Sequence, residues 1–419
     1  MTMENDLSVF KGEMHVSDGK VSYAGPAKSE EELSRSDIKF DRSIDLKGNL
    51  IMPGFKNAHT HSGMTGLRSY ADDLPLQEWL ETKIFPVEAK MTAEDIVEFS
   101  RLAVMEYLTS GITACFDMYM QPAAVAEDFD RMGFRMVQCC DINKFGPSLE
   151  AMEERYLSLN NKYPLSSYML GFHAEYTCTR ELLEKISDMA HKYKAPIWAH
   201  SSETEKEVKE CIERYGKTPT EFFEELGLYD FGGGGYHCVW MSDNDIEIFK
   251  KRGLSVVSNP GSNTKLASGV ADLTRFINEG INVALGTDGP SSNNCLDMFR
   301  EMFLATGLGK HKEKDAAAVP ATEVIKMATC NGAKAMGLAD CDSLVVGKEA
   351  DLIVIDLRQP NMQPIHNIPV NLVYSGSKQN VKLTMVHGKI LYEDGKYNLG
   401  FDIDELYDNV EKITRRICS

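Results

Sequence analysis

The stretch PGFKNAHTHSGM, residues 53–64, follows the apolar run NLIM and carries two histidines, His59 and His61, one residue apart. Strand side chains alternate with period two, so an HxH pair at a strand end sets both imidazoles on one side, within reach of a single ion. An isolated pair of this kind is weak evidence for metal. Its meaning depends on whether other ligating residues fall at equivalent places along the chain.

Working outward from it, β-rich apolar runs recur. GNLIMPGFKNAHTH, GITACFDMY, FRMVQCCDI, YMLGFHAEY, APIWAHSSE, GGYHCVW, LSVVSNP and NVALGTDG read as eight strands. Between them lie stretches such as AEDIVEFSRLAVMEYLTS and TRELLEKISDMAHKYK, which have the apolar spacing of helices and end before Gly or Pro. Eight strands alternating with helices predict an α/β chain built as a (β/α)8 TIM-like barrel, a fold of about 250 residues. The barrel is expected to span residues 53–339. The flanks, 1–52 and 340–419, contain short alternating runs, SVFKGEMHVSDGKVSYAG on one side and EADLIVIDL and VKLTMVHGKILYEDGKY on the other. Neither can bury a face alone, so both termini are expected to share one small composite β-sandwich, followed by a C-terminal tail.

A barrel of this kind works at the C-terminal ends of its strands. The first strand brings His59 and His61 there, the fourth His173, the fifth His200 followed by Glu203, the sixth His237 and the eighth Asp288. Independent surface histidines have no reason to share one rim. Imidazoles with one carboxylate suit Zn²⁺, with Fe²⁺ as the alternative, whereas Ca²⁺ and Mg²⁺ call for oxygen ligands. The expected ligands of one ion are His59, His61, His200 and Asp288, with a further position for a water whose pKa the ion lowers. Glu203, its pKa raised, would protonate a ring nitrogen and pass a proton to the leaving group. Asp288 would take the first proton, and His237 would polarise the attacking oxygen.

Composition, 419 residues with 43% hydrophobic and 26% charged, is ordinary for a soluble globular protein and by itself names no function. A net charge of −18 argues against a nucleic-acid partner. The ten cysteines contain no CxxC, MTMENDLSVF has no signal-peptide pattern, and no apolar run approaches the roughly 20 residues of a membrane span. A cytoplasmic chain with reduced thiols and no membrane partner is expected. The FGGGG run, residues 231–235, lacks the Lys-Ser or Lys-Thr of a phosphate loop and reads as a flexible lead-in to the sixth strand.

PGFKNAHTH, WAHSSE, GYHCVW, SNPGSNTKLASG and LGTDGPSSNN together resemble the amidohydrolase superfamily, and within it the methylthioadenosine and S-adenosylhomocysteine deaminases. The likeness covers almost the whole chain, including LPLQEWLETKIFPVEAKMT and VKLTMVHGKILYEDGK. It implies the mononuclear site above, with Glu203 and His237 catalytic, and substrate contacts from Glu88 to ribose hydroxyls, from His173 and Glu203 to the nucleoside, and from Trp79 by stacking. The implied reaction converts an adenosine derivative to its inosine form and releases ammonia. A homo-oligomer is expected.

The resemblance departs at QCCDINKFGPSLEA, where Lys144 is the only cation and no arginine awaits an amino-acid carboxylate. Small 5′ groups such as methylthio are therefore expected over the S-adenosylhomocysteine tail. Guanine, pterin or triazine rings, or a non-catalytic oligomeric scaffold, are the alternatives. Against two-metal amide hydrolysis, the fourth strand carries His173 where a carboxylated lysine would stand.

Overall fold

An antiparallel hairpin, β1 (Glu13–Ser17) and β2 (Lys20–Gly25), precedes the histidine stretch. The computed structural model describes residues 1–29, 31–32 and 39–419; the remainder of the N-terminal flank lies outside the described residues. The first expected strand proves to be two, β3 (Leu50–Pro53) and β4 (Phe55–Thr60), in different sheets. The Pro-Gly step exchanges partners: Gly54 N donates to Asp351 O at 3.0 Å and Phe55 N to Gly111 O at 2.8 Å. β3 thus belongs to a terminal sheet and β4 opens the barrel.

Seven more strands follow: β5 (Ile112–Asp117), β6 (Arg135–Cys139), β7 (Ser166–Ala174), β8 (Ile197–Ser201), β9 (Gly233–His237), β10 (Ser255–Ser258) and β11 (Asn282–Leu285). Each pairs in parallel with its neighbour in chain order, from β4 to β11. Buried on both faces, they read as nearly continuous apolar runs. The seam between β11 and β4 is closed just past the ladder. Asn57 donates from Nδ2 to Thr287 Oγ1 at 2.7 Å and accepts from Thr287 N at 2.8 Å, and Asp288 N donates to His59 O at 3.0 Å. Gly286 permits this approach, since a Cβ there would lie 2.7 Å from the His59 nitrogen.

The barrel is filled by Phe116, Trp198 and Tyr236 interleaved with Ala58, Ala114 and Ala284. The glycine run takes part in that packing and is no loose lead-in: Gly233–Gly235 lie within β9, and a Cβ on Gly234 would meet Ser255 O at 2.1 Å and the Trp198 ring at 2.7 Å. The helices wrap outside. The helix Ala93–Thr109 starts at a capping box in which Thr92 and Asp95 satisfy each other's backbone N–H groups. The helix Arg180–Tyr193 is capped by Thr179.

Beneath the barrel, β12 (Leu352–Ile355), β13 (Val381–Val386), β14 (Lys389–Glu393) and β15 (Lys396–Tyr397) form an antiparallel sheet with β3. The hairpin β1–β2 is its second layer, burying Val21 against Leu344, Leu352 and Leu383. This is the β-sandwich contributed by both termini. The last helix, Ile403–Cys418, packs beside the helix Ala93–Thr109, where Lys90 Nζ donates to Ile417 O at 2.9 Å and Arg416 pairs with Asp95.

The barrel floor meets the sandwich through buried charge. Lys56, fully buried on β4, donates to Gly54 O and Thr113 Oγ1, each at 2.9 Å. Arg135 donates from Nε to Asp351 Oδ2 at 2.7 Å and from Nη2 to Glu349 Oε2 at 2.7 Å, and Asp351 Oδ1 also accepts His387 N at 2.8 Å. Each of these charges has a partner.

Candidate active site

At the opposite end of the barrel four histidines are fixed by the same device. His61 Nδ1 contacts Met118 O at 2.5 Å, His200 Nδ1 contacts His173 O at 2.7 Å, His237 Nδ1 contacts Asn263 Oδ1 at 2.7 Å, and His173 Nδ1 contacts Thr177 Oγ1 at 3.0 Å. Carbonyl oxygens only accept, so His61 and His200 donate from Nδ1 and, when neutral, carry a lone pair on Nε2. Thr177 spends its proton on Ala174 O at 3.0 Å, which makes His173 a donor at Nδ1 as well. A hydrogen bond on the far nitrogen is how proteins orient imidazoles toward a metal.

His59 differs. It is fully buried, neither ring nitrogen has a hydrogen-bond partner among the described residues, and its Nε2 lies 3.5 Å from Asp288 Oδ1. Burial pulls its pKa down to about 3, which keeps the ring neutral. An orphaned polar atom in a dry site is costly, and a cation would relieve it. The surrounding donors fit one: single ligand atoms of His59, His61 and Asp288 lie within 4.8 Å of one another, as do those of His59, His200 and His237. His59 joins the two sets. His237, grouped with His59 and His200, lies 4.0 Å through its Nε2 from Asp288 Oδ2.

Asp288 is prepared to stay ionised. It accepts Ser262 Oγ at 2.6 Å, Ser292 Oγ at 2.9 Å and Gly289 N at 2.7 Å. Burial pushes its pKa up, but the close approach of the His59 and His61 imidazoles and the charge of His61 outweigh this and hold it well below the carboxylate range. His61 Nε2 is 3.1 Å away. Burial lowers the His61 pKa, yet Asp288 raises it to about 9, so this ring attracts positive charge at the point where a metal would bring it.

Glu203 faces the same centre from the turn after β8, its Oε2 3.8 Å from His237 Nε2 and its Oε1 accepting Ser268 Oγ at 3.4 Å. Burial raises its pKa, with a further push from Asp288 against the pull of His237. The turn is held by Glu207, which accepts Ser202 N at 2.9 Å and Glu203 N at 2.8 Å while closing a capping box with Thr204. Ser202, His237 and Asp288 all adopt left-handed backbone, φ 52°, 71° and 59°. Such conformations cost about 1–3 kcal/mol each in non-glycine residues and gather at functional sites.

The rim opens into a cavity of about 670 Å³ lined by His61, His173, His200, Glu203, His237 and Asp288 at its base. Trp79 and Glu88, expected at the substrate from the resemblance, also line it. Glu88 accepts Tyr119 OH at 2.7 Å, and burial raises its pKa to about 7. Lys144 does not line the cavity; it is exposed, with its Nζ 5.2 Å from the Phe145 ring centre. The cavity cation is Arg155, seven residues into the helix Leu149–Leu159, and Asp141 stands in the same wall. Sequence reasoning passed over both, together with Tyr119, Asn263 and Glu207. Only Glu207 left a legible trace, the TEKE capping pattern at 204–207.

The profile of the amidohydrolase family matches residues 50–391. The chain belongs to that family. Among curated amidohydrolase relatives, a 5-methylthioadenosine/S-adenosylhomocysteine deaminase of Thermoanaerobacter pseudethanolicus is 41% identical over 91% of this chain and 90% of its own length. A 5′-deoxyadenosine deaminase of Methanosarcina barkeri is 38% identical over 100% and 96%. Among solved structures, an adenosine deaminase from Xanthomonas campestris with bound zinc superposes with a TM-score of 0.93 at 31% identity, covering 100% of this chain and 96% of that one.

Proposed function

We propose that this amidohydrolase hydrolyses the exocyclic amine of a 5′-modified adenosine, giving the inosine form and ammonia, at one Zn²⁺ held by His59, His61, His200 and Asp288. The observation that carries this reading is the buried, partnerless His59 between oriented imidazoles and an ionised aspartate. A bound ion of this type acts as a Lewis acid and lowers the pKa of water.

The chain's own groups supply the proton traffic. Glu203, kept protonated by burial, donates to purine N1 as water oxygen bonds to C6, and Asp288 accepts the water proton. His237, its Nδ1 committed to Asn263, presents Nε2 to the attacking water and orients it by accepting a hydrogen. The carboxylate of Glu203 then takes the hydroxyl proton of the tetrahedral carbon and passes it to the amine, which leaves as ammonia as the C6 carbonyl forms, and the proton held by Asp288 returns to Glu203. Glu88 suits ribose hydroxyls, which donate to a carboxylate, and the free Nε2 of His173 is a second acceptor for them; burial holds that ring neutral, with a pKa of about 4.

Incubating Zn²⁺-loaded protein with adenosine, 5′-deoxyadenosine and 5′-methylthioadenosine tests this directly. Ammonia release with the matching loss of adenine absorbance is the expected result. Activity on guanine or a triazine alone would reject the substrate class.

A further inference from the structure

Part of the cavity wall is built by Asp141, Asn143, Phe145, Gly146 and Pro147, in the segment that leaves β6 at the C-terminal rim. Asp141 is half-buried in that wall. Among the described residues its carboxylate accepts no hydrogen bond from another residue and makes no ion pair within 4 Å. Arg155 lines the same cavity and, among the described residues, has no contact partner; burial raises the Asp141 pKa and the nearby Arg155 charge favours its carboxylate without touching it. Asp141 is close enough to Glu88 for its charge to disfavour the Glu88 carboxylate. Its chain continues outward through Asn143 to Phe145, which at 82% exposure marks the cavity mouth. If Glu88 holds the ribose hydroxyls, a 5′ substituent directed along the wall that runs from Asp141 out to Phe145 meets the Asp141 carboxylate.

We infer that Asp141 determines selectivity at the 5′ position, favouring substituents that bring a hydrogen-bond donor or a positive charge and rejecting anionic ones such as a 5′-phosphate. This deepens the adenosine-deaminase reading and depends on it. The physical basis is simple. A carboxylate without a hydrogen-bond partner in a partly desolvated wall gains most from an ammonium or hydroxyl donor, and repels an anion most strongly where solvent cannot screen it. An apolar 5′ group gains nothing from Asp141, so 5′-deoxyadenosine serves as the internal reference.

The test compares kcat/KM for 5′-amino-5′-deoxyadenosine, 5′-deoxyadenosine and adenosine 5′-monophosphate at neutral pH, in Zn²⁺-loaded wild type and in Asp141→Asn and Asp141→Ser. In both variants the amino-to-deoxy ratio is expected to fall by about 10- to 100-fold, the range of one charge-assisted hydrogen bond, and the phosphate-to-deoxy ratio to rise by about 10-fold or more. Ratios cancel any loss of folded enzyme. Both ratios staying within about threefold of wild type, against that hydrogen-bond range, would overturn the inference. A wild type inactive on every adenosine would instead overturn the functional reading on which it rests.

Discussion

Lys56 and His59 lie three residues apart on β4, both fully buried, and the chain treats them in opposite ways. At the floor, Lys56 has two acceptors, and the neighbouring Arg135 and Asp351 satisfy each other. At the rim, His59 has no hydrogen-bond partner, and acids and imidazoles crowd around it in strained backbone. Lys56, with its partners, helps hold the fold together; His59, ringed by ligating groups but without a hydrogen-bond partner, is left for an ion. Within one strand, the count of partners separates structure from function more sharply than burial or residue type does.

That contrast breaks if rim substitutions unfold the protein or floor substitutions disable it. The largest effect is expected for Glu203→Gln, which removes the proton donor: kcat should fall by about 10²- to 10⁴-fold, with the urea midpoint unchanged. Arg135→Ala should do the reverse. It strands the fully buried Asp351 carboxylate, costing about 3–5 kcal/mol in chemical denaturation, while kcat per folded molecule stays near wild type. A smaller effect is expected at Asn263→Ala, which frees His237 Nδ1; metal affinity or kcat should drop by about 10- to 100-fold, the usual cost of losing a supporting hydrogen bond.

The smallest effects sharpen the comparison through pH. Burial raises the Asp351 pKa, but Arg135 outweighs it and holds the group below its ordinary 3.8. Its stabilising contribution is therefore complete above about 3.8 and lost as pH falls through the lower folded value. The advantage of wild type over Asp351→Asn in urea midpoint should shrink only in acid. Glu301, behind the rim, accepts Gly261 N and Asn293 Nδ2, yet burial raises its pKa from 4.5 to about 8. The folded state prefers it protonated, so its contribution is complete below 4.5 and lost as pH climbs toward 8. Wild type should lose ground to Glu301→Gln across that interval.

Much of this was legible beforehand because barrels translate sequence periodicity into position. Each of the eight strands carries its own apolar run, and the expected ligands stand at or just past the C-terminal ends of three of them, β4, β8 and β11. The first strand was misread because NLIM and FKNAHT are equally β-rich, and only their partners, Asp351 and Gly111, reveal that they enter different sheets. The cavity wall was harder. Arg155 lies on a helix with polar residues around it, and nothing in ordinary helical spacing separates a cation facing the substrate from one facing solvent. Lys144 was noted only as the sole cation of QCCDINKFGPSLEA, while Arg155, on the next helix, went unremarked. Glu88 and Trp79 came from family likeness rather than from any pattern in the residues themselves.

The measurement that bears most directly on the account is the metal-to-protein ratio of the purified chain, by elemental analysis, in wild type, His59→Asn and Arg135→Ala. A single mononuclear centre predicts about one Zn²⁺ or Fe²⁺ per chain in wild type and in the folded fraction of Arg135→Ala, and almost none in His59→Asn. A folded wild type that takes up no ion from Zn²⁺-supplemented buffer, or a His59→Asn variant that keeps its ion, would contradict it.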